Sequence, residues 1–394
     1  MRDDVAIVGA GPAGARAAFV LARGGARVTM FDPSHPREKA CGGGVTGRAL
    51  ALVRDALAPD AFPRTIVRAA RFTTCDRNPT APRLHAADGA NDTATVTLDA
   101  DALVVASRAS FDAALVNAAL RAGAGLVRAR ATNVTIDAHG VTLDTTADRF
   151  TADFVVGADG ANSLVRRRVA SPFRRDQLSI ATGFFAHGAT SDEIVIELTS
   201  DPPGYIWSFP RPDHLAIGIC AQADAGITAA GLRTRTARWI DRTGVAPHAA
   251  LEPYSWPIPS LTASDYESLP LAGARWALAG DAAGLVDPIT REGIHFALRS
   301  ADILADTLMS ASEPRAYALS VRDELGSELA RAARLKAGFF RPAFLDLMID
   351  ALEQSAAVRR VMVDLVAGRQ SYATLKWRLI KTLEVGLAWR ALTA

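Results

Sequence analysis

Three groups of residues in this chain carry chemistry in a readable pattern. The first is Gly9-Ala10-Gly11-Pro12-Ala13-Gly14, set between the apolar run Val5-Ala6-Ile7-Val8 and an alanine-rich helical stretch. In a Gly-x-Gly-x-x-Gly turn the first glycine permits the tight bend. The second lets the main chain approach a pyrophosphate, and the third lets the helix pack on the strand. The helix start then offers free N–H groups and a positive dipole end to phosphates. Asp32 follows 18 residues after Gly14, where a carboxylate can bind a ribose diol. The second group is an acid beside a glycine at the end of an apolar run. It occurs twice, as Asp159-Gly160 after Phe154-Val155-Val156 and as Gly280-Asp281 after Trp276-Ala277-Leu278. The third pairs Cys41, followed by Gly42, Gly43 and Gly44, with the alternation Tyr205-Ile206-Trp207-Ser208-Phe209-Pro210. Taken alone, a single cysteine is most often a small hydrophobe and its thiol a weak acid. Three alternating aromatics project to one face of a strand, which without further information is a core face.

The elements that must position these residues are legible around them. Residues 13–23 read as a helix stopped by Gly24-Gly25, and Arg27-Val28-Thr29-Met30-Phe31 as a second strand ending at Asp32. Residues 111–122 have a helical period, 131–148 alternate about His139-Gly140 as a hairpin, and 60–98 and 180–219 are β-rich. Everything after about residue 300 is helical in pattern. An apolar strand with a Gly/Asp turn thus recurs at three distant places, with β-rich segments between them. The expectation is an α/β fold: a Rossmann-like dinucleotide-binding domain assembled from residues 1–60, 101–170 and 270–330. A β-rich substrate domain of antiparallel sheet (61–100 and 171–269) is threaded through it, and a helical region (331–394) closes the chain.

Composition narrows the class. A chain of 394 residues with 49% hydrophobic and 22% charged residues has the balance of a globular protein. A net charge of +2 gives no field for nucleic acid. Cys41, Cys75 and Cys220 are far apart, form no CxxC pair and have no metal-ligand spacing, so no metal is expected. An odd number of cysteines and no leading apolar segment suit a reducing cytoplasm. No apolar run reaches the length that spans a bilayer. The stretch Leu375-Lys376-Trp377-Arg378-Leu379-Ile380-Lys381-Thr382-Leu383 mixes basic, aromatic and aliphatic residues at helical spacing. It is readable as a peripheral contact with the inner membrane face, or as a helix docked over the substrate domain. Oligomeric state is not readable.

The three strand-and-turn segments, in this order, resemble the p-hydroxybenzoate-hydroxylase-like FAD-dependent oxidoreductases. Within that superfamily, Lys39-Ala40-Cys41-Gly42-Gly43-Gly44 and the Tyr205–Pro210 aromatic motif, continued by Gly218, resemble the geranylgeranyl reductase family. The resemblance runs from the N-terminus to about Asp306 and recurs more loosely between Ser371-Tyr372 and Trp389-Arg390. It implies a fold of the glutathione-reductase type holding FAD. Gly9, Gly11, Pro12, Ala13, Gly14 and Asp32 would take the nucleotide half. Asp159 and Gly160 would lie near the pyrophosphate, Thr132 would also contact the cofactor, and Lys39, Cys41, Gly42, Gly44 and Arg108 would lie beside the flavin. Gly280 and Asp281 would meet the ribityl chain, followed by Pro288, Gly293 and Ile294, with a helix starting near Glu292 aimed at the flavin N1/O2 edge. Tyr205, Trp207, Phe209 and Pro210 would line the substrate cavity, and Cys41 would be catalytic, positioning the alkene or relaying a proton. His295 is read as structural. Arg291 departs from the pattern, which often has glycine there, and arginine would disfavour φ > 0.

The reaction implied is saturation of isolated C=C bonds of a prenyl chain by hydride from reduced FAD. Such an alkene has no electron sink, so protonation must lead or accompany hydride delivery, and aromatic rings near Trp207 would stabilise the cationic character. An apolar chain also suits an aromatic cavity. With no second Gly-x-Gly-x-x-Gly, the electron donor, NAD(P)H or ferredoxin, is open. The same fold serves flavin monooxygenases, flavin halogenases and flavin-holding maturation proteins, and these stand as alternatives. Halogenases carry Trp-x-Trp-x-Ile-Pro where this chain has Tyr205-x-Trp207-x-Phe209-Pro210.

Overall fold

Val5, Ile7 and Val8 are apolar on both faces, and the chain buries them on both faces. In the computed structural model, which describes residues 4–74, 93–310 and 312–382, they form the middle strand of a six-stranded sheet. Strand Asp4–Val8 pairs in parallel with Arg27–Phe31 on one side and Phe154–Gly157 on the other. Gly125–Val127 extends the sheet beyond the former and Trp276–Leu278 beyond the latter, both in parallel. Ala272–Gly273 forms a short antiparallel edge. Val8 stands opposite Phe31 and Gly157, and Gly157 opposite Leu278. The turns holding Gly9, Asp159 and Gly280 therefore emerge together at the carboxyl edge of the sheet, where open α/β sheets bind ligands.

Helix Pro12–Arg23 packs on Arg108–Arg121 and Ile294–Met309. Its buried positions Ala13, Ala15, Ala17 and Ala18 are small enough for close approach. A three-stranded antiparallel sheet of Ala131–Ile136, Val141–Thr145 and Arg149–Ala152 joins the same core through Val134, Val141 and Leu143. The expected hairpin at 131–148 is thus part of a three-stranded unit. Its third strand, Arg149–Ala152, is too polar to betray itself by pattern.

The second large sheet has seven strands, in the order Ala250–Pro259, Leu178–His187, His214–Gln222, Pro203–Pro210, Glu193–Ser200, Ala69–Thr74 and Thr93–Thr97. It is antiparallel except where Glu193–Ser200 meets Ala69–Thr74 in parallel. That pairing joins two distant stretches of chain, so no hairpin dictates its direction. Its faces diverge by the two-residue period of a strand. Ile206, Ile217 and Ile219 pack under helix Ala229–Thr243 with Trp239, whereas Trp207 and Cys220 face the opposite way. Helix Pro342–Gln354 covers strands Ala69–Thr74 and Thr93–Thr97 through Ile349 and Leu352. Helix Tyr372–Thr382 docks on Ala356–Val366 and Ser327–Phe339 rather than on the sheet, with Trp377 66% exposed. Cys75 and residues 383–394, including the segment through Trp389-Arg390, lie outside the described residues. Among the described residues no helix is long and apolar enough to cross a membrane.

Candidate active site

One cavity of about 1040 Å³ runs from the carboxyl edge of the six-stranded sheet to the free face of the seven-stranded sheet. Its first end is built from the glycine turn. Gly9 has φ +98°, and a Cβ there would lie 2.4 Å from the Ala158 carbonyl oxygen. A Cβ on Gly14 would lie 2.0 Å from the Gly9 oxygen. Both glycines are therefore required by the protein itself. Gly11 differs, because nothing stands within 4 Å of where its Cβ would be. It is the N-cap of helix Pro12–Arg23, no side chain caps that end, and Gly11, Pro12 and Ala13 line the cavity. Open space over uncapped helix N–H groups is the shape a pyrophosphate fills. The Asp32 carboxylate accepts from the amides of Ala10 at 3.0 Å and Ser34 at 2.9 Å. Burial would raise its pKa, but His35 and these donors outweigh burial and hold it low. It is thus an anion at the place a ribose diol would reach.

Across the turn, beside Ser163, which is the N-cap of helix Leu164–Val169, Asp159 accepts from the Leu164 amide at 2.6 Å. Burial pushes its carboxyl up. Gly160, at φ +80°, continues the cavity wall. Thr132 stands exposed on the rim, its hydroxyl donating to the Asp144 carbonyl at 3.1 Å. Asp281 follows Gly280 in a single 3-10 turn and pairs with Lys39 Nζ at 2.9 Å. Burial works against that carboxylate, but Lys39 and Arg108 overcome it and keep it low. Two fixed charges of opposite sign therefore meet at the centre of the cavity, where polar ligand atoms would be oriented.

The Cys41 loop forms the waist. The Cys41 carbonyl accepts from Arg211 Nη2 at 2.6 Å, and its Sγ accepts from the Gly43 amide at 3.3 Å. Arg211 is fully buried, pairs with Glu38 at 2.7 Å and lies 4.7 Å over the Phe185 ring. Glu38 in turn accepts from the Arg108 amide at 3.1 Å, tying the loop to helix Arg108–Arg121. Gly42 and Gly44 are small because Phe209 is there: a Cβ would sit 2.7 Å and 3.0 Å from its ring. The two motifs that sequence analysis set side by side are therefore in physical contact. Arg108 lines the waist but makes both its charged bonds, at 2.9 and 2.8 Å, to Asp112, which is 1% exposed. Arg108→Met is expected to lower stability by about 3–5 kcal/mol in chemical unfolding, because it strands a buried carboxylate. A loss under about 1 kcal/mol would mean that Asp112 is not held by this pair.

Beyond the waist the walls are apolar. Tyr205, Trp207 and Phe209 all line the cavity, joined by Phe72, Ile194, Ile196, Trp256 and Ile258 and, from the C-terminal helices, by Phe339, Met348, Met362 and Val366. The Trp207 ring lies over Gly218, where a Cβ would be 2.5 Å from it. Tyr205 donates to the Thr290 carbonyl at 2.6 Å. Gly293 and Ile294 line the waist from the start of helix Ile294–Met309, two residues later than the expected Glu292. Glu292 is instead tied to Thr46 and Arg48. Gly14 and Gly280 support the wall from behind, and Pro210 and Pro288 stand off it. His295 is also off the wall, and burial with nearby Arg48 pulls it down to about 4, so it is neutral at ordinary pH.

Sequence reasoning missed Glu38 and Arg211, whose roles come from pairing across more than a hundred residues. Cys220 is not among the site residues expected from the sequence. It lines the cavity opposite Tyr205 in the strand register, a placement its two-residue spacing from Gly218 would have suggested. Arg291 was expected to resist a positive φ. It adopts φ +60° all the same, held by a bond from Nη1 to Ser260 Oγ.

Five parallel strands with a glycine turn, a helix start open to phosphates and two acid-bearing turns at one edge are the arrangement of the dinucleotide-binding class. The chain belongs to the FAD binding domain family, whose model matches residues 2–317. It is an FAD-dependent oxidoreductase. It is 29% identical over 382 residues to the digeranylgeranylglycerophospholipid reductase of Methanothrix thermoacetophila, covering 88% of this chain and 90% of that one. The fold is shared with a geranylgeranyl bacteriochlorophyll reductase-like protein from Thermoplasma acidophilum, with TM-score 0.77, 22% identity, and 97% and 99% of the two chains covered. It is shared as well with the flavin-dependent brominase Bmp2, with TM-score 0.71, 19% identity, and 97% and 99% covered. The fold alone therefore does not choose the chemistry.

Proposed function

We propose that this oxidoreductase saturates isolated C=C bonds of a prenyl chain, with Cys41 as the proton source. The observation that carries this reading is the continuity of the cavity: a charged nucleotide end, a waist holding a thiol, and a long apolar aromatic end. FAD, when bound, would supply the hydride. Gly11, Asp32, Asp159 and Asp281 would hold it, with Lys39 fixing the Asp281 carboxylate. The aromatic wall binds a chain without hydrogen-bonding groups, excludes water, and offers ring faces to developing positive charge. The Cys41 thiol stands between the two ends, its main chain fixed by Arg211. The relative of similar sequence that is named as a prenyl-lipid reductase supports the same substrate class.

The test is anaerobic. The protein is loaded with FAD, reduced with dithionite, given a geranylgeranyl lipid, and the products are read by mass spectrometry. Saturated product is expected; flavin that stays reduced with every prenyl lipid offered would sink the reading. Trp207→Leu keeps apolar bulk but removes the largest ring face. It is expected to slow turnover by roughly twofold to thirtyfold, the 0.5–2 kcal/mol of a cation–π contact. An unchanged turnover number would remove the ring from the mechanism.

A further inference from the structure

Arg291 lines the cavity and belongs to a polar cluster, reaching behind the wall, that alkene reduction does not use. From the Asp287-to-Gly293 loop, Arg291 reaches the end of strand Ala250–Pro259 and donates to Ser260 Oγ. Lys336, on helix Ser327–Phe339, donates to the same oxygen at 2.9 Å and to Gln222 Oε1 at 2.6 Å. Ser260 is 2% exposed and itself donates to Gln222 at 2.9 Å. Two cations thus converge on one buried hydroxyl. Among the described residues neither makes an ion pair with a carboxylate. The acids nearest to Arg291 in sequence are committed elsewhere, Asp287 to the amides of Ile289 and Thr290 and Glu292 to Thr46 and Arg48. Nε and Nη2 of Arg291 are buried without a partner. These two atoms form one edge of the guanidinium fork, the edge that takes an oxyanion in two parallel bonds. Burial, reinforced by Arg291, pulls the Lys336 ammonium down to about 7. Asp224 offsets part of this effect without forming an ion pair. Half-buried like charges held this close repel, and a dianion between them reverses the sign of the interaction.

Resting on the prenyl reading, we propose that Arg291 and Lys336 bind the phosphate-class head group of the lipid whose chain lies along the aromatic wall. The direction follows from contacts already given. Tyr205 touches Thr290, next to Arg291, while Phe209 touches Gly42 of the Cys41 loop. Head group and thiol are then separated by the run from Tyr205 to Phe209, about 13 Å at strand rise.

The holoprotein is titrated calorimetrically with geranyl phosphate, geraniol and inorganic phosphate, as wild type and as Arg291→Gln and Lys336→Met, with folding of each variant checked by thermal unfolding. Geranyl phosphate is expected to bind at least tenfold more tightly than geraniol or phosphate, and either substitution should remove most of that difference. Two substitutions on different elements protect the result against one variant that fails to fold. Equal affinity for geranyl phosphate and geraniol in the wild type overturns the proposal, as does a preference that survives in both variants. Inorganic phosphate binding as tightly as geranyl phosphate overturns the head-group assignment. If neither prenyl compound binds but phosphate does, and Arg291→Gln abolishes it, the anion site stands and the prenyl reading falls. If none of the three binds, the anion site falls.

Discussion

Gly11→Val is expected to give a protein that folds and is purified without its flavin. Gly11 has φ −72° and ψ −173°, a conformation any residue adopts, and nothing stands within 4 Å of a Cβ placed there. The fold should lose no more than the roughly 1 kcal/mol of a poorer N-cap residue. The ligand loses far more. Three carbons would occupy the space over the helix N–H groups, and each misplaced carbon in a close-packed site costs on the order of 1 kcal/mol or more. FAD affinity should fall more than about a hundredfold, or some 3 kcal/mol. Gly9→Val is the contrasting case. At φ +98° and with Ala158 O 2.4 Å away, it should lose both flavin and fold. Thermal unfolding of the apo forms, with flavin titration of each, separates the two. Wild-type FAD affinity in Gly11→Val would place the pyrophosphate elsewhere.

Cys41→Ala should slow alkene saturation by about 10²–10⁴-fold, the range of a lost general acid. Bound flavin and its reduction by dithionite should remain, since Cys41 contributes to the nucleotide end only through its loop. That loop is secured by the Arg211 bond to the Cys41 carbonyl, by Glu38 and by the glycines under Phe209, none of which involves the thiol. The readout is reoxidation of the reduced flavin by substrate without air, followed with the product by mass spectrometry. A rate within threefold of wild type would take the proton from another donor, and Cys220 and Tyr205 would be the next cavity groups to test. Cys41→Ser should fall between the two, because a hydroxyl keeps the size and a proton but is a far weaker acid.

The parts of this site legible in the sequence were those whose function is local. Gly9 to Gly14 with Asp32, Asp159-Gly160 and Gly280-Asp281 each combine a strand, a turn and a special residue within a few positions, so pattern alone exposes them. The alternation of Tyr205, Trp207 and Phe209 gave one face correctly for the same reason. What stayed hidden depends on pairing between distant segments. Nothing near Glu38 announces Arg211, and nothing near Ser260 announces Lys336 from a helix 76 residues later. The use of glycine at 42 and 44 became intelligible only when Phe209 was seen against them. Arg291 was misjudged for a further reason. Local strain at a positive φ was weighed, but the tertiary bond to Ser260 that offsets it was invisible.

The placement of strand Asp4–Val8 has a consequence for how the chain comes into being on the ribosome. Its neighbour Phe154–Gly157 follows it by about 150 residues, and the next strand, Trp276–Leu278, by about 270. At roughly 5–20 residues per second, this strand waits about 14–54 s before the sheet can close around it. During that interval Val5, Ile7 and the apolar helix behind them have only part of their cover. Long-range strand pairing of this kind is slow even in a finished chain. Newly made protein should therefore depend on chaperone shielding and low temperature for its yield to a degree that the closely packed native state gives no hint of.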